Sequence, residues 1–288
     1  MCNQRIEQIM TKINLWAITL ISYFLSSLPA LADNVATPLQ LGLAEAASPQ
    51  MERITSFHNG LLWVITIIVI FVTALLAWVA IRYNRKANPT PSKTTHHVML
   101  EVMWTVIPVI ILIVIAVPSF KMLYYLDRVE EPEMTLKVTG YQWYWGYDYQ
   151  DHEGVSFLSY MIPEDEIDTE KGQKRLLSTD NAVVLPIDTN IQILVTAADV
   201  LHSFTVPAFG IKKDAVPGRL NETWVRIDKP GTYFGQCSQI CGVNHAYMPI
   251  EIKAVTKEEF QKWLIEAKDK FASINDRSYK IAAMQGVQ

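Results

Sequence analysis

Cysteine is scarce in this chain, with three among 288 residues, and histidine is little commoner at six. Cys2 falls in a segment expected to be removed, so thiol chemistry in the mature protein is confined to Cys237 and Cys241. No Cys-x-x-Cys-His occurs anywhere, which excludes a covalently attached c-type haem. No internal repeat is visible. A basic surplus is missing as well: the formal net charge is −4 and the pI about 5.9, which argues against nucleic acid as a partner.

What is abundant is apolar. Half of the residues are hydrophobic, enough for membrane segments plus one sizeable domain. Residues 1–32 read as an export signal: Arg5 and Lys12 give positive charge, Leu15 to Leu28 is mostly apolar, and Ala30-Leu31-Ala32 fits a cleavage site before Asp33. Met10 offers a second start, and an uncleaved anchor is the competing reading. Residues 33–125 form a transmembrane hairpin. Its spans, about 61–81 and 102–120, are uncharged and long enough to cross a bilayer. Pro108 and Pro118 would break a soluble helix but are tolerated in a membrane. The loop 82–97 carries Arg82, Arg85, Lys86 and Lys93 and no acid, so it is expected on the cytoplasmic side. Both mature termini and everything after the hairpin then lie in the periplasm or its equivalent.

From residue 126 onward the pattern turns β-rich. Runs at 134–139, 182–186, 190–196, 222–227 and 249–255 alternate as strands, with turns at 217–218 and 229–231. Several short strands with a ligand-rich loop near the end predict a Greek-key β-sandwich. A helix from Lys257 to about Phe271 follows, with Phe260, Trp263, Leu264, Ala267 and Phe271 on one face. Within Tyr141-Gln-Trp143-Tyr-Trp145-Gly-Tyr147, strand alternation puts Tyr141, Trp143, Trp145 and Tyr147 on a common face. Core packing accounts for most of these rings; the sharper reading has one indole at the surface, passing electrons. Acids outnumber bases in the exported part, and Asp148, Asp151, Glu153, Asp180 and Asp199 are candidates to steer a basic partner. An ordinary solvated acidic face is the alternative.

Soft ligands cluster once. Cys237, Cys241, His245 and Met248 fall within a dozen residues, and His202 is the best source of a second imidazole. A disulfide suits an exported domain and Cys2His2 suits zinc. Neither accounts for a thioether in the same loop, which favours copper; a disulfide in the metal-free form stays open. Two thiolates four residues apart can bridge two coppers. Gly242, Pro249 and the flanking strands favour a loop over a helix for this segment.

Tyr141-Gln-Trp-Tyr-Trp, Ser159-Tyr-Met-Ile-Pro, Val200-Leu-His-Ser-Phe, Asp214-Ala-Val-Pro-Gly-Arg-Leu-Asn and the Cys237–Pro249 loop together resemble subunit II of haem-copper cytochrome c oxidase. The similarity runs from about Pro38 through the carboxy-terminal helix, and points to a proteobacterial version with a cupredoxin-like exported domain. It implies that His202, Cys237, Cys241, His245 and Met248 bind a dinuclear copper (CuA) centre, with the Gln239 backbone carbonyl as the remaining ligand. It implies that electrons from cytochrome c enter at Trp143, that Glu101 lies at the mouth of a proton pathway, and that oxidase subunits I and III and membrane lipid are the neighbours. Oxygen reduction would then take place in subunit I, coupled to proton pumping. The family usually has Glu where this chain has Gln239, and that carboxylate reaches a magnesium shared with subunit I. An amide oxygen is a weaker ligand for a hard cation, so magnesium is left open. A quinol oxidase subunit II would lack the copper ligands present here. A membrane-tethered copper carrier would leave the aromatic strand and Glu101 without a role, and the two-span hairpin disfavours an oxygen-independent reductase.

Overall fold

The computed structural model describes residues 35–36, 39–127 and 131–285, with side chains as far as Phe271. The expected signal peptide, 1–32, lies outside them. Two long helices come first: α1 (Pro49–Arg82) and α2 (Val98–Asp127). Ser48 starts α1 by accepting a hydrogen bond from the Met51 N–H, with Pro49 supplying the pre-set φ of a first helical turn. At 34 residues α1 is about 50 Å long, against a hydrocarbon layer of about 30 Å. Its first turns therefore extend beyond the span expected at 61–81. They reach the β-rich domain, where Ser48 Oγ donates to the Phe209 carbonyl and Ala47 N–H to the Ala208 carbonyl.

That domain is a sandwich of two five-stranded sheets. One has the order β3 (Ser156–Ser159), β2 (Tyr144–Tyr149), β1 (Met134–Tyr141), β5 (Ile191–Ala197), β8 (Asn221–Val225). The other runs β4 (Val183–Pro186), β10 (Pro249–Val255), β9 (Gly231–Cys237), β6 (His202–Val206), β7 (Ile211–Ala215). β1 lies parallel to β5, and β4 to β10; the remaining pairs are antiparallel. β1 and β5 alternate strictly between buried and half-buried positions, so one face of each fills the core. Tyr149 is fully enclosed, and its hydroxyl both donates to the Val184 carbonyl and accepts from the Val184 N–H, bolting the two sheets together.

The aromatic run departs from the expected single strand. Tyr141 pairs with Tyr144 across a hairpin whose two-residue tip is Gln142-Trp143. Chain reversal there puts Tyr141 on the outer face, stacked on Tyr144 at 4.8 Å, while Trp145, Tyr147 and Tyr149 face the core. β3, β6, β7 and β9 do not show in the alternation pattern either. β9 contains Gly235, where a Cβ would collide with the Thr205 backbone of the neighbouring strand, so close packing displaces the usual β-formers.

The carboxy-terminal helix α3 (Lys257–Gln285) opens with a reciprocal cap, Thr256 Oγ1 accepting from Glu259 N–H and Glu259 from Thr256 N–H. Phe260, Leu264, Ala267 and Phe271 are buried against the sandwich, and Phe271 stacks on Phe157 at 4.6 Å. The helix continues past the expected end near Phe271 because no Gly or Pro interrupts residues 272–285. Hairpin and sandwich meet at Trp224, whose indole donates to the Tyr125 carbonyl at 3.0 Å, and at the Lys213–Asp127 ion pair.

Candidate metal centre

Three strands deliver the soft ligands to one end of the sandwich. His202 opens β6, Cys237 closes β9, and residues 238–248 loop across the end before β10 begins at Pro249. His245 sits in a short 3-10 turn, so the segment is a loop and not a helix face. Cys237 Sγ and Cys241 Sγ lie 4.0 Å apart, unbonded. His202 Nδ1 is 3.9 Å from Cys237 Sγ, and His245 Nδ1 is 3.6 Å from Cys241 Sγ. Met248 Sδ is 3.5 Å from Cys241 Sγ, and the Gln239 carbonyl oxygen 3.3 Å from Cys237 Sγ. The Gln239 side chain itself points to the exposed surface. All the expected ligand atoms converge.

The donor set can be tested against metal chemistry. A metal–thiolate bond of about 2.3 Å allows two sulfurs on one ion to be at most about 4.6 Å apart, so a 4.0 Å separation admits shared metal. Three sulfurs, two imidazoles and a carbonyl exceed what one tetrahedral ion can take. Thioether and paired thiolates are soft. The residues present fit a pair of copper ions better than zinc.

Charge is divided unevenly across the thiols. Burial opposes ionisation of Cys237, yet His202 and backbone groups of Gln239 and Ser203 outweigh it and hold the thiol below its ordinary value. Burial, reinforced by the neighbouring Cys237, pushes the Cys241 thiol up. The metal-free pair therefore gives up its first proton readily and its second reluctantly. Burial also works against charge on His202, but Cys237 and Asp199 on either side of the ring raise it above the ordinary imidazole value.

Asp199 is more than a surface acid. Its Oδ1 meets His202 Nε2 at 2.9 Å and accepts from Val200 N–H, and its Oδ2 accepts from Gln142 N–H at 2.6 Å. Such a carboxylate fixes which ring nitrogen is free to bind metal. Of the other acids, Asp180 accepts from the Tyr160 N–H, and the Tyr160 ring packs on Tyr144 beside the hairpin tip. Asp148 is the penultimate residue of β2, about 16 Å along the strand from Trp143. Asp151 accepts from Thr135 N–H where β1 begins, and with Glu153 occupies the far end of the hairpin, roughly 20 Å from Trp143. The structure thus gathers Asp180 and Asp199 near the ligand loop and leaves Asp148, Asp151 and Glu153 apart.

Trp143 is half-buried at the hairpin tip, its indole donating to the Cys241 carbonyl at 3.3 Å. Gln142 Nε2 donates to the same carbonyl at 2.8 Å. Gly242, at φ +124°, lies under the indole, where a Cβ would come within 3.0 Å of the ring. Glu101 is in the first turn of α2, its carboxylate accepting from the His97 N–H. It is roughly 40 Å along the helix from Asp127 and the sandwich. Sequence reasoning passed over Gln142 and Gly140 as neighbours of the ligands. A glycine inside a strand pattern was the available signal, because it marks a close approach: a Cβ on Gly140 would stand 2.9 Å from the His202 ring.

A two-helix hairpin bearing a cupredoxin-like sandwich, with soft ligands gathered at one end, defines a membrane-tethered metal protein of the electron-transfer type. Residues 134–255 match the family model described as cytochrome c oxidase subunit II, periplasmic domain, and residues 36–122 its transmembrane domain. A probable cytochrome c oxidase subunit 2 of Rickettsia felis is 48% identical over 93% of this chain and 83% of its own length. That of Rickettsia bellii is 48% identical over 92% and 97%, and the cytochrome c oxidase subunit 2 of Oenothera berteroana 47% over 82% and 92%. The solved periplasmic domain of subunit II of cytochrome oxidase from Bradyrhizobium japonicum is 48% identical, covering 50% of this chain and 100% of that one, with a TM-score of 0.47. The chain belongs to the cytochrome c oxidase subunit II family, and is a membrane protein with two spans.

Proposed function

We propose that this chain is the electron-input subunit of a proton-pumping haem-copper oxidase, accepting electrons from cytochrome c at a dinuclear copper centre and passing them toward haem in subunit I, where oxygen becomes water. The observation that carries this reading is the convergence of the Cys237 and Cys241 thiols, two imidazoles, a thioether and a carbonyl at one end of the sandwich. His202, Cys237, Cys241, His245, Met248 and the Gln239 carbonyl would hold the metal. When bound, the copper would supply one-electron redox chemistry, and the ligands held by the fold would let an electron arrive and leave with little rearrangement.

The protein's own part is to hold these ligands still and bring a donor near. Asp199 orients His202, and Gln142 and Trp143 clamp the Cys241 carbonyl from the hairpin tip. Trp143 is then both a wall of the site and the indole at which electrons enter from cytochrome c. Asp180 and Asp199 supply negative charge beside that indole to steer a basic partner; Asp148, Asp151 and Glu153 would act only at longer range. Glu101, at the other end of α2, would take up protons for subunit I at the cytoplasmic surface. The assembly sits in the bacterial inner membrane among lipid and subunits I and III, with loop 82–97 cytoplasmic and the sandwich and both mature termini periplasmic.

The test is metal content together with the electron paramagnetic resonance of the oxidised, copper-loaded full-length protein. Two coppers per chain and a mixed-valence signal from one electron shared by equivalent coppers are expected. A one-copper blue protein, or a colourless zinc protein, would refute the reading.

A further inference from the structure

Trp145 has no role in the function described so far. It is fully buried on β2, directly opposite Gly140 of β1. Those two residues make a slot. Gly140 offers no side chain, so the His202 ring from the opposite sheet lies against its backbone, and the Trp145 indole closes the other side edge-on, with ring centroids 5.9 Å apart. The indole N–H reaches out of this slot and donates to the Met248 carbonyl at 3.2 Å. Met248 is itself buried, with its Sδ 3.5 Å from Cys241 Sγ. A single rigid side chain therefore touches the His202 imidazole and fastens the residue that carries the thioether.

We propose that Trp145 is a positioning residue that sets how closely the Met248 thioether approaches the metal pair, and thereby tunes the reduction potential of the centre. The inference rests on the two-copper reading. The physical basis is that a weak axial ligand adjusts the potential of a copper–thiolate site, and that bonds one shell out hold the ligands in place. Met is flexible, with three rotatable side-chain bonds, so the thioether position depends on where its backbone is pinned. Gly140 and Phe204 hold the indole in turn, the Phe204 ring meeting it edge-on at 5.4 Å. The N–H is thus aimed by packing alone and has little freedom to follow Met248 if the loop shifts.

The test replaces Trp145 with 3-benzothienylalanine in the full-length, copper-loaded chain, keeping the bicyclic shape and removing only the N–H; Trp145→Phe is the second variant. Copper per chain, the copper hyperfine pattern and the midpoint potential are measured. Both variants are expected to keep two coppers and a delocalised signal while the hyperfine pattern changes. The equilibrium with a redox mediator should move at least threefold, about 30 mV for one electron. In a Met248→Leu background the same replacement should add little, because its effect passes through the thioether. An unchanged potential and hyperfine pattern, loss of copper from the ring analogue, or a full-sized shift persisting in Met248→Leu would each overturn the proposal. A two-copper signal missing from the unaltered protein would instead refute the functional reading itself, so the two failures are distinguishable.

Discussion

Gly140→Ala is a one-carbon probe of the ligand slot. The added Cβ would stand 2.9 Å from Cδ2, 3.0 Å from Cγ and 3.1 Å from Cβ of His202. Ordinary carbon contacts begin near 3.5 Å, so something must move by about 0.6 Å. The imidazole has little room to yield: it is completely buried, tied to Asp199 through Nε2 at 2.9 Å, and closed in by Trp145. Moving the ring away from Gly140 therefore misaligns Nδ1 from Cys237 Sγ or stretches the Asp199 bond. Overpacking of this kind costs about 1–3 kcal/mol, and at about 1.4 kcal/mol per tenfold that weakens copper binding by about 5- to 140-fold if it falls on the bound form. Alanine also makes the unfolded chain less flexible, returning about 0.4–1 kcal/mol. The metal-free protein should accordingly melt only slightly lower than the parent, while metal affinity falls clearly. Chelator competition followed by the absorbance of the copper centre measures the affinity, and circular dichroism of the metal-free chain measures stability. Copper affinity within twofold of the parent, with an unchanged spectrum, would refute the slot.

Three further outcomes are expected. Trp143→Phe should slow electron uptake from cytochrome c by at least tenfold in stopped-flow mixing while copper content stays at parental level, because Gln142 still holds the Cys241 carbonyl; loss of copper would make Trp143 structural. Asp199→Asn removes the anionic partner of His202 and should weaken copper binding by about 10- to 100-fold in chelator competition; an affinity equal to the parent's would mean that the ring needs no such anchor. Burial beside α3, with Lys268 adding to it against the pull of Asp151, holds the His152 imidazole below its ordinary range. The unfolded chain then takes up this proton first as pH falls below about 6.5, so stability should decline from there through the lowered folded value. His152→Gln should flatten the melting temperature between about pH 7 and pH 5, and an unaltered slope would assign the dependence to other groups.

Much of the site could be read in advance because its chemistry is local. Cys237, Cys241, His245 and Met248 announce themselves by type and spacing, and the structure brings their donor atoms within reach of one another. His202 was reachable only as the best remaining imidazole. The aromatic run misled for a definable reason: alternation assumes that a strand continues, and reversal at Gln142-Trp143 moves Tyr141 to the face opposite the one expected. Asp199 was legible as an acid and not as the partner of His202, since a three-residue separation says nothing about whether two side chains point at each other. Asp151 and Glu153 look in sequence like neighbours of the acids around Trp143, yet a strand's length separates them.

The sequence by itself determined the two spans, the basic loop between them and the inventory of soft ligands. Each of these depends on residue type or on an uninterrupted run, and hydrophobicity, charge and ligand softness belong to side chains wherever the chain puts them. Only the tertiary structure decided that β6 should carry His202 to within 3.9 Å of Cys237. It also decided that Gly140 and Trp145 should pair as a slot for that ring, and that one hairpin tip should clamp the ligand loop. Those relations are set by strand register and sheet packing between segments distant in sequence, where a slip of one residue would turn every side chain to the other face.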